Sequence, residues 1–153
     1  MRTLLYSLGL LASMALTGIE SAIANPSMSV NVMQSANSLI LDGEGQATTH
    51  VVKVATITLS TDSNKGFTVT IGSGNLTKAS LETPISYQVI TVISTDNPPS
   101  SGDFNVASGN NYTFVTNQAG SQNRDLYILY TPANFQDPGA YSANIMISIL
   151  DNP

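Results

Sequence analysis

The chain has no cysteine and no tryptophan, a single histidine, and only five lysines and arginines among 153 residues. Each absence removes a class of chemistry. Without thiols there is no disulfide framework, no thiolate zinc site, no iron–sulfur cluster and no cysteine nucleophile. The formal charge is −5 and only 10% of residues are charged. Lys53, Lys65, Lys78 and Arg124 are scattered, so nothing forms the basic stripe that tracks phosphates, and nucleic acid is excluded as a partner. His50 would have to serve any Ser–His–Asp site. It stands beside Thr48 and Thr49 at a strand start, and no G-x-S-x-G elbow occurs.

One segment has the form of an export signal. Arg2 supplies a positive start, Leu4 to Leu16 an apolar run, and Ala22-Ile23-Ala24 the small residues that a signal peptidase reads. The run is broken by Ser7, Gly9 and Ser13 and is followed by Glu20. It falls short of the roughly 20 apolar residues of a spanning helix. Residues 1–24 are therefore expected to be a signal peptide cut after Ala24, and residues 25–153 a single domain. Asn25 rather than a cysteine would follow the cut, so no lipoprotein anchor is indicated. Arg2 and Glu20 cancel, leaving 129 mature residues that also carry −5. That length buries a core without covalent staples. No later apolar run is long enough to span a bilayer. The expected location is secreted: periplasm, cell surface or extracellular space.

After the leader, apolar residues alternate with a period of two. Met28, Val30 and Val32 mark a first strand. Val51 to Ser60 marks a longer one, with Ala55, Ile57 and Leu59 inward and Thr56 and Thr58 outward. Val52 and Val54 break its parity and predict either a bulge or burial on both faces. Asp62 to Gly66 is a turn, and Phe67, Val69 and Ile71 continue beyond it, predicting a hairpin. Gly72 to Asn75 would end that strand. Ile85 to Ile93 is a strand with Tyr87, Val89 and Ile93 on one face. Asp96 to Asp103 is a loop, Tyr112 to Thr116 and Leu126 to Tyr130 are strands, and Asn117 to Arg124 a polar connection. Tyr141 to Ile149 is the last strand. No helical period follows the leader. About eight strands separated by turns read as an all-β, antiparallel, Ig-like sandwich, with a closed barrel as the other architecture.

Candidate chemistry is sparse. The acids, Asp125 among them, fall mostly in turn-like stretches, where aspartate serves the backbone. None is marked as the buried carboxyl that acid–base catalysis needs. Asp62-Ser63-Asn64-Lys65-Gly66 has the look of a calcium loop, but its glycine comes one position early and Ser73 stands where the bidentate glutamate belongs. The sequence thus points to no catalytic residue, no cofactor and no metal site, and to a protein that is not an enzyme.

Several stretches resemble spore-coat-U-like and related pilin-like β-sandwich domains. Thr61 to Ile71 is similar to their polar turn followed by glycine, an aromatic residue and an alternating strand. Pro84-Ile85-Ser86-Tyr87 is similar to a further strand of theirs. Asp125 to Tyr130, with Pro138 to Ile145, is similar to their closing strands. The resemblance spans most of residues 28–150. It implies an exported structural subunit, in some relatives assembled by a periplasmic chaperone and an outer-membrane usher. It also implies self-assembly by strand exchange, with Met28, Val30 and Val32 as donor residues; the other reading makes them the domain's own first strand. The chain lacks the cysteine pair common in those domains and ends Leu150-Asp151-Asn152-Pro153 without their terminal aromatic. A second class of function is an extracellular carbohydrate- or envelope-polymer-binding module, using loops that carry Asp96, Asp103 and Arg124.

Overall fold

The computed structural model describes residues 4–8, 25–37, 39–41, 47–78, 83–137 and 140–153. Its strands are β1 (Leu4–Leu8), β2 (Ser27–Val32), β3 (His50–Thr61), β4 (Phe67–Gly72), β5 (Gly74–Leu76), β6 (Ile85–Ile93), β7 (Asn111–Val115), β8 (Gly120–Tyr130) and β9 (Ile145–Asp151). They form two antiparallel sheets, ordered β1-β9-β4-β7 and β2-β3-β8-β6-β5. Among the described residues, helix is confined to short 3₁₀ turns at Gln34–Asn37 and Ser101–Asp103. The protein is an all-β sandwich.

The core follows from alternation. Ala55, Ile57 and Leu59 of β3, Val89 of β6 and Leu126 of β8 come from the five-stranded sheet. Val69 and Ile71 of β4 and Ile147 and Ile149 of β9 come from the other, and all join one buried cluster. Side chains alternate between the two faces with a period of two, so each sheet turns its apolar face to the other and most of its threonines and serines to water, Thr61 and Thr91 being buried. Of the two expectations for the parity break in β3, the bulge is the one present: the register with β8 shifts between Lys53 and Ala55, leaving Val54 as the extra residue. The bulge turns Val54 inward, where it is buried, and its carbonyl accepts the Met33 N–H at 2.8 Å.

The turn at Asp62–Gly66 is not a hairpin turn. β3 already has ladder partners on both sides, β2 and β8. The turn therefore carries the chain across to the other sheet, where β4 lies between β7 and β9. Gly66 has φ +75°, and a Cβ there would lie 2.3 Å from the Thr116 carbonyl oxygen. Asn152 ties this corner together. Its amide donates to Lys65 O at 2.8 Å and Thr116 O at 2.7 Å, and its Oδ1 accepts the Thr68 hydroxyl at 2.6 Å.

Other differences from the sequence reading have local causes. β8 begins at Gly120, so most of the expected loop from Asn117 to Arg124 is strand, paired along β3. Ile93 keeps the register of Tyr87 and Val89, with the buried Thr91 between, but is exposed at the end of the strand. β5 begins within the stretch expected to end a strand, runs on to Leu76, and pairs with β6. β9 starts at Ile145, while Tyr141 and Ala143 pack on the core from irregular chain.

Candidate assembly edge and loop residues

β9 owes its shape to strict alternation. Ile145, Ile147 and Ile149 are buried, Met146 is exposed, and Ser148 is half-buried. One side of β9 pairs with β4, from Phe67 opposite Asp151 to Ile71 opposite Ile147. The other side pairs with β1, from Leu4 opposite Ile149 to Leu8 opposite Ile145. β1 thus lies inside the segment with the form of a signal peptide. The rest of that segment, including the expected cut after Ala24, lies outside the described residues. Without β1, β9 is an edge strand whose backbone donors and acceptors on that side lack a ladder partner.

Met28, Val30 and Val32 lie on β2, which pairs with β3 of its own chain: Met28 opposite Leu59, Val30 opposite Ile57 and Val32 opposite Ala55. Their burial declines along the strand. Met28 is buried, Val30 half-buried, and Val32 is 47% exposed. β2 is one of the two outer strands of the five-stranded sheet.

Each of the three loop candidates is held by contacts of its own. Asp96 is exposed in the turn after β6, where its N–H donates to Ile93 O at 2.9 Å. Asp103 closes the short 3₁₀ turn: its Oδ2 accepts the Ser100 N–H at 2.7 Å and the Ser100 hydroxyl at 2.8 Å. Those two bonds hold its carboxyl below the usual carboxylate range. Arg124 is not in a loop but in β8. Its Nε donates to Thr91 Oγ1 at 2.8 Å and its Nη2 to Thr91 O at 2.9 Å. Its guanidinium lies 4.2 Å from the centroid of the Phe114 ring. Phe114 belongs to β7, so Arg124 clasps the two sheets together through a cation–π contact.

Sequence reasoning missed the most engaged carboxylate. Asp125 sits within β8, opposite Thr56 and Val92, not in a turn. It is 6% exposed. The Lys53 ammonium lies 2.6 Å from its Oδ2, and its Oδ1 accepts the Ser94 hydroxyl at 2.7 Å and the Thr56 hydroxyl at 3.0 Å. Burial opposes its charge, but the bonds from Lys53, Ser94 and Thr56 outweigh burial and hold its pKa below the ordinary value. The only available signal was its place just ahead of the apolar run Leu126 to Tyr130. Asp125 fastens β3, β8 and the end of β6 together; a carboxylate already neutralised and triply bonded is poorly placed to move protons.

His50 opens β3 and stacks on Tyr130, with ring centroids 5.2 Å apart. The Tyr130 hydroxyl accepts the Ile40 N–H at 3.0 Å and donates to Ile40 O at 3.2 Å, pinning the Leu39–Leu41 segment over the end of the sandwich. Tyr87, Phe104, Tyr127 and Tyr130 are buried, whereas Phe135 is exposed. Among the described residues, no three histidine, aspartate or glutamate side chains group as a metal site. Among the same residues, no helix is long and apolar enough to cross a membrane. No family model, no curated protein and no solved structure matches the chain.

Proposed function

We propose that this chain is an exported, non-enzymatic structural subunit of a surface or extracellular assembly, pilin-like or coat-like in the way it works. The observation that carries the reading is the pairing of β1 with β9. A segment with the form of a cleavable signal occupies one edge of a sandwich sheet. Export would remove that strand and leave β9, an apolar strand with three buried isoleucines, open along one side. An open edge of this kind is a template for another strand, and pairing through it gives affinity from main-chain bonds and register from alternate side chains. The same edge is what a periplasmic chaperone would shield before assembly.

The residues favour a building role over a chemical one. Asp125, Arg124, Asp103 and His50 are each engaged in holding strands or turns. The test is the molar mass of the exported protein by size-exclusion with light scattering, beside the chain that retains residues 1–24. The reading expects oligomers from the exported form, collapsing to monomer on denaturation, and a monomer from the leader-bearing form. A monomeric exported form at every concentration would count against it.

A further inference from the structure

The edge strand of β9 has a particular partner written into its own sequence. β1 reads Leu-Leu-Tyr-Ser-Leu over residues 4–8. β9 reads Ile-Met-Ile-Ser-Ile over residues 145–149. Position by position the two strands carry apolar, apolar, apolar, serine, apolar. The register strengthens the likeness. β1 lies antiparallel on β9 with Tyr6 opposite Ile147, Leu4 opposite Ile149 and Ser7 opposite Met146. A second copy of β9 laid antiparallel about Ile147 would put Ile147 on Ile147, Ile145 on Ile149, and Ser148 on Met146. It would reproduce the β1 pattern at all five positions.

We propose that β1 holds the place of a second copy's β9, and that loss of the leader lets two copies join through an antiparallel β9–β9 pair. This rests on the reading that residues 1–24 are removed on export. The pairing is self-complementary, as a twofold axis requires, and it closes. The product is a discrete dimer in which β7-β4-β9 of one copy continues into β9-β4-β7 of the other. Charge permits it. The only charged residue of β9 is Asp151, and in this register it falls opposite Ala143 of the second copy, so the two carboxylates do not meet. The outward positions permit it as well: Met146 is exposed and Ser148 half-buried, so neither side chain must be withdrawn from the core. The leader would then act as an internal plug that keeps the edge paired until cleavage.

The absence of cysteine makes the test direct. Met146→Cys and Ser148→Cys are made separately in the full chain and each variant is exported, with the processed N-terminus confirmed by intact mass. Residues opposite each other on paired strands have Cα atoms about 4.5–5.5 Å apart, inside the roughly 4.4–6.8 Å that a disulfide spans. Cysteines at the same position in the two copies sit on the diagonal, about 7–8 Å apart, beyond that reach. A mixture of the two variants should therefore oxidise to a heterodimer at least about fivefold more than either alone. The chain retaining residues 1–24 should not cross-link. Val115→Cys, on the opposite edge of the same sheet, should give no dimer, and circular dichroism checks that each variant is folded. Oligomers of the wild-type exported protein without selective cross-linking would overturn the β9–β9 pair and leave the assembly reading standing. Cross-linking of Met146→Cys to cysteine at Ser29 or Asn31 would seat β2 of the second copy on the edge and likewise overturn it. A wild-type protein that stays monomeric would overturn both.

Discussion

Replacing Asp125 by asparagine removes one charge from a side chain that is only 9% exposed and leaves its shape intact. The carboxylate has three donors: Lys53 at 2.6 Å, Ser94 at 2.7 Å and Thr56 at 3.0 Å. Hydrogen bonds to a charged group contribute about 1.5–3 kcal/mol each, and breaking a buried ion pair costs about 3–5 kcal/mol. Lys53 is 31% exposed, so water recovers part of its solvation, and the asparagine carbonyl keeps one acceptor. The expected loss near neutral pH is about 2–3 kcal/mol, a shift of about 1 M in the urea midpoint at an ordinary slope for this size. The pH dependence has a definite sign. The folded-state pKa of Asp125 lies below its ordinary 3.8. The unfolded state therefore binds more protons in the window between the two values, and stability rises with pH there. The contribution is complete above the unfolded value and is lost as pH falls through the folded one. The gap between wild type and Asp125→Asn should be full near pH 7 and should shrink as pH drops below about 4. Urea midpoints across that range test it. Equal midpoints near pH 7, or a gap that does not narrow in acid, would refute the assignment.

Three further perturbations follow from the same structure. Gly66→Ala forces a side chain into φ +75° with a Cβ 2.3 Å from Thr116 O; it should cost about 1–3 kcal/mol, seen as a lower thermal midpoint. Asn152→Ala removes three side-chain bonds at the corner joining the Lys65 turn, β4 and the end of β7. It should cost about 1–3 kcal/mol in urea unfolding and speed amide exchange around Gly66 and Phe67. Tyr130→Phe removes both bonds to Ile40; it should cost about 1–2 kcal/mol and raise exchange or proteolysis at Leu39–Leu41 while the sheets stay protected.

Alternation made much of this fold legible. Ala55, Ile57 and Leu59 face inward as expected, β6 has the expected bounds, and the parity break at Val52 and Val54 is a bulge. These features depend on which side of a strand a residue faces, which a period of two records directly. What alternation does not record is which strand lies beside which. The Asp62–Gly66 turn looks like any hairpin turn, but β3 was saturated by β2 and β8, so the chain crossed to the other sheet. The same limit hid the polar tie points. Asp125 and Arg124 look like turn and loop residues until β3, β6 and β7 arrive beside β8. The β9 edge was hidden for a different reason. The leader reads as an export signal from its composition, and nothing in that pattern says that Leu4–Leu8 pairs with a strand some 140 residues away.

We propose that residues 1–24 cover the β9 edge and that their removal on export opens it to a second chain. Amide hydrogen exchange over residues 145–151 tests this most directly, measured on the leader-bearing and exported forms at several protein concentrations. Protection should be independent of concentration when residues 1–24 are present and should rise with concentration once they are gone. Identical, concentration-independent protection in both forms would contradict it.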